Sequence, residues 1–164
     1  MRFPQTPATR ILDAAGIAWS GHSYHHDPRS PSYGREAARE LGVDADRVLK
    51  TLVVSVSSAL GLAIIPVSRS LNLKSAARTL AAVGVPRART ATLADARAAE
   101  AATGYVLGGI SPLGTRRPLP TMLDLSAITH ETVFVSGGRR GFDIELAPDD
   151  LIELTGAEVE ELAR

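Results

Sequence analysis

The chain has 164 residues, of which 45% are hydrophobic and 22% are charged, a balance typical of one compact domain over residues 1–164 that excludes disordered, collagen-like and coiled-coil proteins. The absence of cysteine excludes disulfides and a protein thiol nucleophile and predicts a cytoplasmic protein. The sequence also shows no apolar signal-peptide core and no membrane span, so no membrane role is expected. The formal net charge of zero argues against a polyanionic partner unless the charges are unevenly distributed.

The first half of the chain predicts two helices and three strands. A helix runs from Thr6-Pro7 to Gly16, with an N-cap, a Pro at its start and a Gly stop. A strand then covers residues 18–26, a second helix covers 32–41, and the apolar runs 50–58 and 62–67 form a hairpin. This hairpin places Lys50 at the start of a strand.

The second half predicts further helices and short strands separated by a segment rich in Gly and Pro. Helices are expected over residues 72–82 and 93–102, strands over 121–125, 132–136 and 142–146, a helix from Pro148, and a last helix over 157–164. Helices interleaved with strands favour a single mixed α/β domain.

The charges are unevenly distributed along the chain. Residues 1–142 contain 17 Lys and Arg and 10 Asp and Glu, a net charge of +7, whereas residues 143–164 contain one Arg and eight acids, a net charge of −7. The first segment can therefore face phosphates, while the last is either a solvated acidic helix or a segment that lies elsewhere. Only Lys50 and Lys74 are Lys among 18 basic residues, either by chance or because those positions need a compact ammonium.

Two segments, 103–114 and 135–143, hold seven of the fourteen glycines. Such loops let backbone N–H groups approach an oxyanion or a phosphate, although ordinary hairpin turns would explain either one equally well. Neither segment is a P-loop or a G-x-G-x-x-G motif, and the chain has no G-x-S-x-G serine elbow. If the two loops meet, they can form one site.

Other polar residues give weaker signals. His22 and His26 lie on one face of the predicted strand and His25 on the other, so the histidines do not converge on a metal, and no metal site is expected. Asp143 and Glu145 share a strand face, either as paired carboxylates or as part of an exposed charge ladder.

Several consecutive runs resemble a known family. They are Lys50-Thr51-Leu52-Val53, Gly108-Gly109-Ile110-Ser111-Pro112-Leu113-Gly114, and Val135-Ser136-Gly137-Gly138-Arg139-Arg140-Gly141-Phe142-Asp143. In order and spacing they resemble the YbaK/EbsC family, stand-alone relatives of the editing domain inserted in bacterial prolyl-tRNA synthetase. The resemblance extends nearly from end to end and implies an α/β fold with a strongly curved, barrel-like mixed sheet surrounded by helices.

The resemblance also implies an activity: hydrolysis of misacylated tRNA, most similar to the branch that deacylates Cys-tRNA(Pro), with Cys-tRNA(Cys) as a further substrate. No cofactor or metal is implied. The cysteinyl thiol of the substrate would attack the ester carbonyl, which agrees with a chain that has neither a cysteine nor a serine elbow. The residues carried over as catalytic are Lys50, Gly108, Gly109 and Ser111; those carried over as substrate-binding are Tyr24, Tyr33, Thr51, Ile110, Pro112, Gly137, Gly138, Arg139 and Asp143.

Two other readings stay open. Ala-tRNA(Pro) or another small aminoacyl-tRNA would be hydrolysed by a bound water, and a non-catalytic module would bind tRNA or a nucleotide without hydrolysis. The expected partners are the acceptor end of tRNA(Pro) and prolyl-tRNA synthetase, which would present the tRNA. A phosphate track is predicted along Arg69, Lys74, Arg116, Arg117, Arg139 and Arg140.

Overall fold

A computed structural model describes residues 3–164 of the chain. In chain order, its helices are α1 (Pro7–Ala14), α2 (Tyr33–Leu41), α3 (Leu73–Ala82), α4 (Ala96–Thr103) and α5 (Pro148–Thr155). Its strands are β1 (Ser20–Ser23), β2 (Leu49–Val56), β3 (Ala59–Pro66), β4 (Thr92–Leu93), β5 (Thr121–Asp124), β6 (Val133–Arg139), β7 (Phe142–Leu146) and β8 (Glu158–Glu160). None of the helices in this part of the chain is long and apolar enough to cross a bilayer.

The strands form two sheets. One sheet has the order β1-β7-β6, and the other has the order β4-β2-β3-β5-β8, in which β3, β5 and β8 run parallel. A single parallel bridge between Val48 and Phe134 connects the start of β2 to β6. The mixed α/β architecture agrees with the prediction, but the sheets are not closed, so the barrel-like part of the expectation is not borne out.

Local sequence explains where most helices begin. The Thr6 hydroxyl accepts the N–H of Thr9, and the Thr9 hydroxyl accepts the N–H of Thr6, which together form a capping box. Ser32, Asn72 and Asp95 cap α2, α3 and α4 in the same way through their side-chain oxygens. Because Asp95 caps α4, this helix begins three residues later than predicted, and Thr92 and Leu93 pair with β2 instead.

The C-terminal segment departs from the predicted helix over residues 157–164. The helix α5 ends before Gly156, which takes a left-handed conformation, and Glu158–Glu160 then pair with β5 as strand β8. One carboxylate oxygen of Asp124 accepts the N–H groups of both Leu162 and Ala163 at 2.8 Å. Leu162 is fully buried, so tertiary pairing and burial determine this segment rather than its helix-forming composition.

One edge of β2 is left open, and this opening positions the site. The N–H of Val67 donates to the Val48 carbonyl at 2.8 Å, so by the alternation of an antiparallel ladder the main-chain groups of Thr51 point away from β3. At that outer edge, β4 pairs only with Val54 and Ser55. The strand therefore presents unpaired main-chain groups between its contacts with β6 and β4.

Candidate functional site

A cavity of about 330 Å³ lies at this open edge of β2. It is bounded by β2, by the start of α2, by the loop before Ile110, and by β6 and β7. The lining includes Tyr24, Ser32, Tyr33, Gly34, Ala37, Val48, Leu49, Lys50, Thr51, Leu52, Leu107, Gly108, Ile110, Ser136 and Asp143. Its size lies at the small end of the range for ligand cavities.

Lys50 supplies the positive charge of this cavity. Burial, and the positive charge of Arg35, lower the pKa of its ammonium. Within residues 3–164 its ammonium forms no ion pair or hydrogen bond. A half-buried ammonium without a partner is poised to bind an anionic group of a ligand.

Asp143 supplies the acidic group. It is 5% exposed, and burial raises the pKa of its carboxyl to about 7. No hydrogen bond and no positive charge among the described residues offsets this effect of burial. Burial also raises the pKa of the Tyr24 phenol, and the negative charge of Asp143 adds to this effect. The cavity thus contains a carboxyl group that changes protonation near neutral pH.

The first glycine segment contributes backbone donors. Gly108 and Ile110 both line the cavity, and within residues 3–164 their N–H groups donate to no protein acceptor. The N–H of Gly109, by contrast, donates to the Val106 carbonyl at 2.9 Å. Of the loop residues that line the cavity, Gly108 and Ile110 therefore have amides free to bind an oxyanion, whereas the Leu107 N–H donates to Glu100.

The two glycine segments meet, as the sequence allowed. A side chain at Gly109 would approach the backbone of Arg139 and Arg140 to 3.0 Å, and Arg140 Nε donates to the Leu107 carbonyl at 2.7 Å. Gly108, with φ +83°, lies under the Tyr33 ring, which a Cβ would reach at 2.8 Å. Glycine is required there by both conformation and space.

Seven of the predicted residues line the cavity: Tyr24, Tyr33, Lys50, Thr51, Gly108, Ile110 and Asp143. Gly109, Ser111, Pro112, Gly137, Gly138 and Arg139 are not part of this lining. The fully buried Ser111 hydroxyl accepts the N–H of Leu113 at 3.2 Å. Gly137 and Gly138 belong to an irregularity of the β6–β7 pairing, where a Cβ on Gly137 would lie 2.3 Å from the Phe142 ring.

Two of the three clustered histidines contact different carboxylates. His22 Nε2 lies 3.0 Å from Glu145, and His26 Nδ1 lies 2.7 Å from the buried Glu36. No group of three His, Cys, Asp or Glu side chains able to hold a metal occurs within residues 3–164.

Comparison with known proteins decides the family. Residues 29–154 match the model of the aminoacyl-tRNA editing domain. The chain belongs to this family. Apart from Tyr24, every residue that lines the cavity lies within the matched range.

Relatives cover the chain almost completely. EbsC of Enterococcus faecalis, named as a Cys-tRNA(Pro)/Cys-tRNA(Cys) deacylase, is 38% identical over 160 residues, which are 96% of this chain and 93% of EbsC. A solved trans-editing enzyme for prolyl-tRNA synthetase superposes on this editing domain with a TM-score of 0.80 and 26% identity, covering 98% and 99% of the two chains. A scaffold protein used for epitope backbone grafting gives a TM-score of 0.81 and 27% identity, covering 98% and 99%.

Sequence reasoning missed several residues of the site. Leu107 and Ser136 line the cavity but were not predicted, even though their neighbours Gly108 and Gly137 were. Arg140, predicted only as part of a phosphate track, packs its guanidinium over the Tyr33 ring at 5.0 Å. An aromatic and an Arg side chain near glycine turns could have indicated this contact in the sequence. The contact itself, however, depends on how the two glycine loops pack against each other.

Proposed function

We propose that this protein is a trans-editing deacylase that hydrolyses the ester bond of misacylated tRNA, with Cys-tRNA(Pro) and Cys-tRNA(Cys) as substrates. The observation that carries the proposal is the cavity at the open edge of β2, where unpaired Lys50, Asp143 and free loop amides converge. Membership of the editing family and the named activity of the 38% identical EbsC support the reaction and the substrate.

The loop amides fit the charge that develops in ester hydrolysis. Attack on the ester carbonyl places negative charge on its oxygen, and preorganised N–H donors stabilise that charge. The N–H groups of Gly108 and Ile110 are available for this role because no described acceptor engages them. Lys50 would hold the aminoacyl end or the terminal phosphate by its compact ammonium.

For a cysteinyl substrate, we infer that the substrate provides the nucleophile. The thiol sulfur forms a bond to the ester carbon, the bond from that carbon to the ribose oxygen breaks, and the thiol proton passes to the ribose oxygen. This releases the tRNA and a four-membered cysteine thiolactone, whose carbon–sulfur bond water then cleaves to give free cysteine. The cavity then needs only to orient the thiol and stabilise the oxyanion, which agrees with a chain that has no cysteine.

A specific observation favours a second substrate class. The pKa of Asp143, raised by burial to about 7, is suited to a general base that removes a proton from a bound water at neutral pH. Such a base would allow hydrolysis of Ala-tRNA(Pro), whose side chain has no thiol. The two substrates therefore distinguish a route through the substrate's thiol from a route through water.

The test compares the only two lysines of the chain. Wild type, Lys50→Ala and Lys74→Ala are incubated with Cys-tRNA(Pro), Cys-tRNA(Cys) and Ala-tRNA(Pro), and loss of the esterified amino acid is followed. We expect wild type to deacylate the cysteinyl substrates and Lys50→Ala to be slower by about 100-fold or more. Lys74→Ala removes only an exposed charge of the predicted phosphate track, so we expect it to raise KM modestly and to leave kcat unchanged. Unchanged charging of all three tRNAs by wild type would contradict the proposal and favour a non-catalytic tRNA-binding module.

We propose prolyl-tRNA synthetase as the partner that presents the tRNA, and the cytoplasm as the location of the reaction. The six side chains of the predicted phosphate track are exposed, and none is in an ion pair within residues 3–164. Since the whole chain has no net charge, we expect tRNA alone to bind weakly and with strong salt dependence. Tight, salt-independent binding of free tRNA would contradict this.

A further inference from the structure

A second cavity, of about 500 Å³, lies beside the candidate site. Its lining includes Phe3, Ser23, Arg139, Arg140 and Phe142. The Phe3 ring stacks on the buried Phe142 ring with centroids 5.9 Å apart and is itself only partly buried. Arginine side chains next to an aromatic ring are the chemistry that proteins use to bind single-stranded nucleic acid.

Arg140 connects this second cavity to the first. Its Nε donates to the carbonyl of Leu107, and its guanidinium carbon lies 5.0 Å from the centroid of the Tyr33 ring. Leu107 and Tyr33 both line the first cavity, whereas Arg140 lines the second. The guanidinium is therefore held in one plane at the boundary between the two cavities.

The backbone that carries Arg140 is also fixed. Gly141, with φ +80°, passes so close to the Tyr24 carbonyl that a Cβ would lie 2.8 Å from it, and the Gly141 carbonyl accepts the Tyr24 N–H at 2.9 Å. On its other side, Gly109 packs against the backbone of Arg139 and Arg140. The arginine is consequently positioned before any ligand binds, which lowers the entropic cost of binding.

The remaining donors of Arg140 are available. Its two terminal nitrogens have no acceptor among residues 3–164, and no carboxylate forms an ion pair with it or with Arg139. Two parallel N–H groups of a guanidinium match two oxygens of a phosphate group. The geometry thus offers a phosphate site whose position relative to the first cavity is set by one side chain.

We propose that Arg140 binds the phosphodiester that precedes the terminal adenosine of the tRNA, and that the second cavity receives the preceding nucleotide. This inference rests on the proposed function, in which the first cavity holds the aminoacyl end. With the phosphodiester bound by Arg140, the ammonium of Lys50 serves the aminoacyl end.

The experiment tests adenosine and the dinucleotide CpA, which adds the phosphodiester and the preceding nucleotide, as competitive inhibitors of aminoacyl-tRNA deacylation. The inhibition constants of both are measured for wild type, Arg140→Ala, Arg140→Lys and the control Arg97→Ala, whose side chain is exposed on α4. In wild type and the control, we expect CpA to inhibit about tenfold to hundredfold better than adenosine, the range of charge-assisted hydrogen bonds.

In Arg140→Ala the preference for CpA should fall close to one, and in Arg140→Lys it should be intermediate, because an ammonium keeps the charge but not the paired donors. A purely structural role through Leu107 would weaken both inhibitors equally and leave the preference unchanged, which would overturn the inference. A wild type that hydrolyses aminoacyl-tRNA but does not prefer CpA would also overturn it, whereas a wild type without hydrolysis would contradict the proposed function itself.

Discussion

Asp143 and Glu145 lie two residues apart on strand β7, with side chains on the same face, but they have opposite environments. Asp143 is buried in the cavity without a described donor, and burial raises its pKa to about 7. Glu145 accepts the Thr132 hydroxyl at 2.5 Å and contacts His22 and Arg47 at 3.0 and 3.3 Å. Hydrogen bonding from Thr132, then from His22, lowers the pKa of Glu145 despite its partial burial.

This difference separates groups that stabilise the fold from groups that are available to a ligand. The partners of Glu145 satisfy its charge, as those of Asp124 do at the C-terminal segment. By contrast, among the described residues the Thr51 hydroxyl is the one buried side-chain polar atom without a hydrogen-bond partner, and it lies in the cavity wall with Lys50 and Asp143, neither of which forms an ion pair. Since unpaired buried polar groups cost stability, their concentration around one cavity indicates a functional site.

The largest effect is expected from Asp143→Asn, which removes the unpaired charge. Because the folded pKa of Asp143, about 7, lies above its ordinary value of 3.8, the folded protein holds this proton more tightly than the unfolded chain. The free energy of unfolding should therefore fall as pH rises from 3.8 to about 7 and then level off. The total loss is on the order of 4 kcal/mol, and at pH 8 Asp143→Asn should recover much of it.

Chemical denaturation of wild type and Asp143→Asn between pH 4 and 8 measures this contribution, and deacylation is assayed on the same preparations. If Asp143 acts as a general base, the variant gains stability but loses Ala-tRNA(Pro) hydrolysis by about 100-fold or more. An Asp143→Asn variant that is less stable than wild type at pH 8 would show that the carboxylate has a partner and would break the contrast with Glu145.

The sequence predicted which residues belong to the cavity better than it predicted which partners surround each carboxylate. Lys50, Gly108 and Asp143 could be located because each falls inside a run of consecutive residues shared with a known family. The alternation of a strand likewise placed Asp143 and Glu145 on one face. What surrounds each carboxylate could not be predicted. Arg47 is 98 residues from Glu145 and reaches it through the contact between the two sheets, and Thr132 reaches it only because β6 pairs with β7 in this register.

The differences between prediction and structure in residues 157–164 and in the glycine loop have the same cause, which is contacts that the local sequence does not specify. Ala, Glu and Leu in residues 157–164 favour a helix locally, but β5 and Asp124 bind this segment as a strand and an anchored end. Within the predicted catalytic loop, local hydrogen bonds to Val106 and Leu113 engage the Gly109 amide and the Ser111 hydroxyl. From the sequence alone, each residue of such a loop could donate its N–H to a ligand. Which N–H groups actually face the cavity depends on the backbone conformation.

A smaller effect, of opposite sign to that of Asp143→Asn, is expected from Glu145→Gln. The change removes charge-assisted contacts to Thr132, His22 and Arg47 at a site that is about a quarter exposed, so we expect a loss of about 1–2 kcal/mol at pH 7. The loss should disappear in acid, because a lowered pKa gives stability only above the pH at which the folded carboxylate takes up a proton.

Thermal or chemical denaturation of Glu145→Gln, with the exposed Glu153→Gln as the control, tests this assignment. Deacylation per folded molecule should stay within about twofold of wild type, because removing a surface contact away from the cavity leaves the reacting groups in place. A loss of activity without a loss of stability would place Glu145 in the site and remove the distinction between the two carboxylates.

The smallest effect is expected from Thr51→Val, which replaces a buried hydroxyl without a described partner by a methyl group of similar shape. Removing an unsatisfied group should raise the free energy of unfolding by about 1 kcal/mol or less. The matched variant Thr121→Val should lower it, since the Thr121 hydroxyl donates to the Leu119 carbonyl at 3.0 Å. If Thr51→Val also raises KM for aminoacyl-tRNA, the hydroxyl gains its missing partner from the substrate. If it instead destabilises the protein as much as Thr121→Val does, the hydroxyl is already satisfied, and the lack of a partner no longer distinguishes the cavity wall.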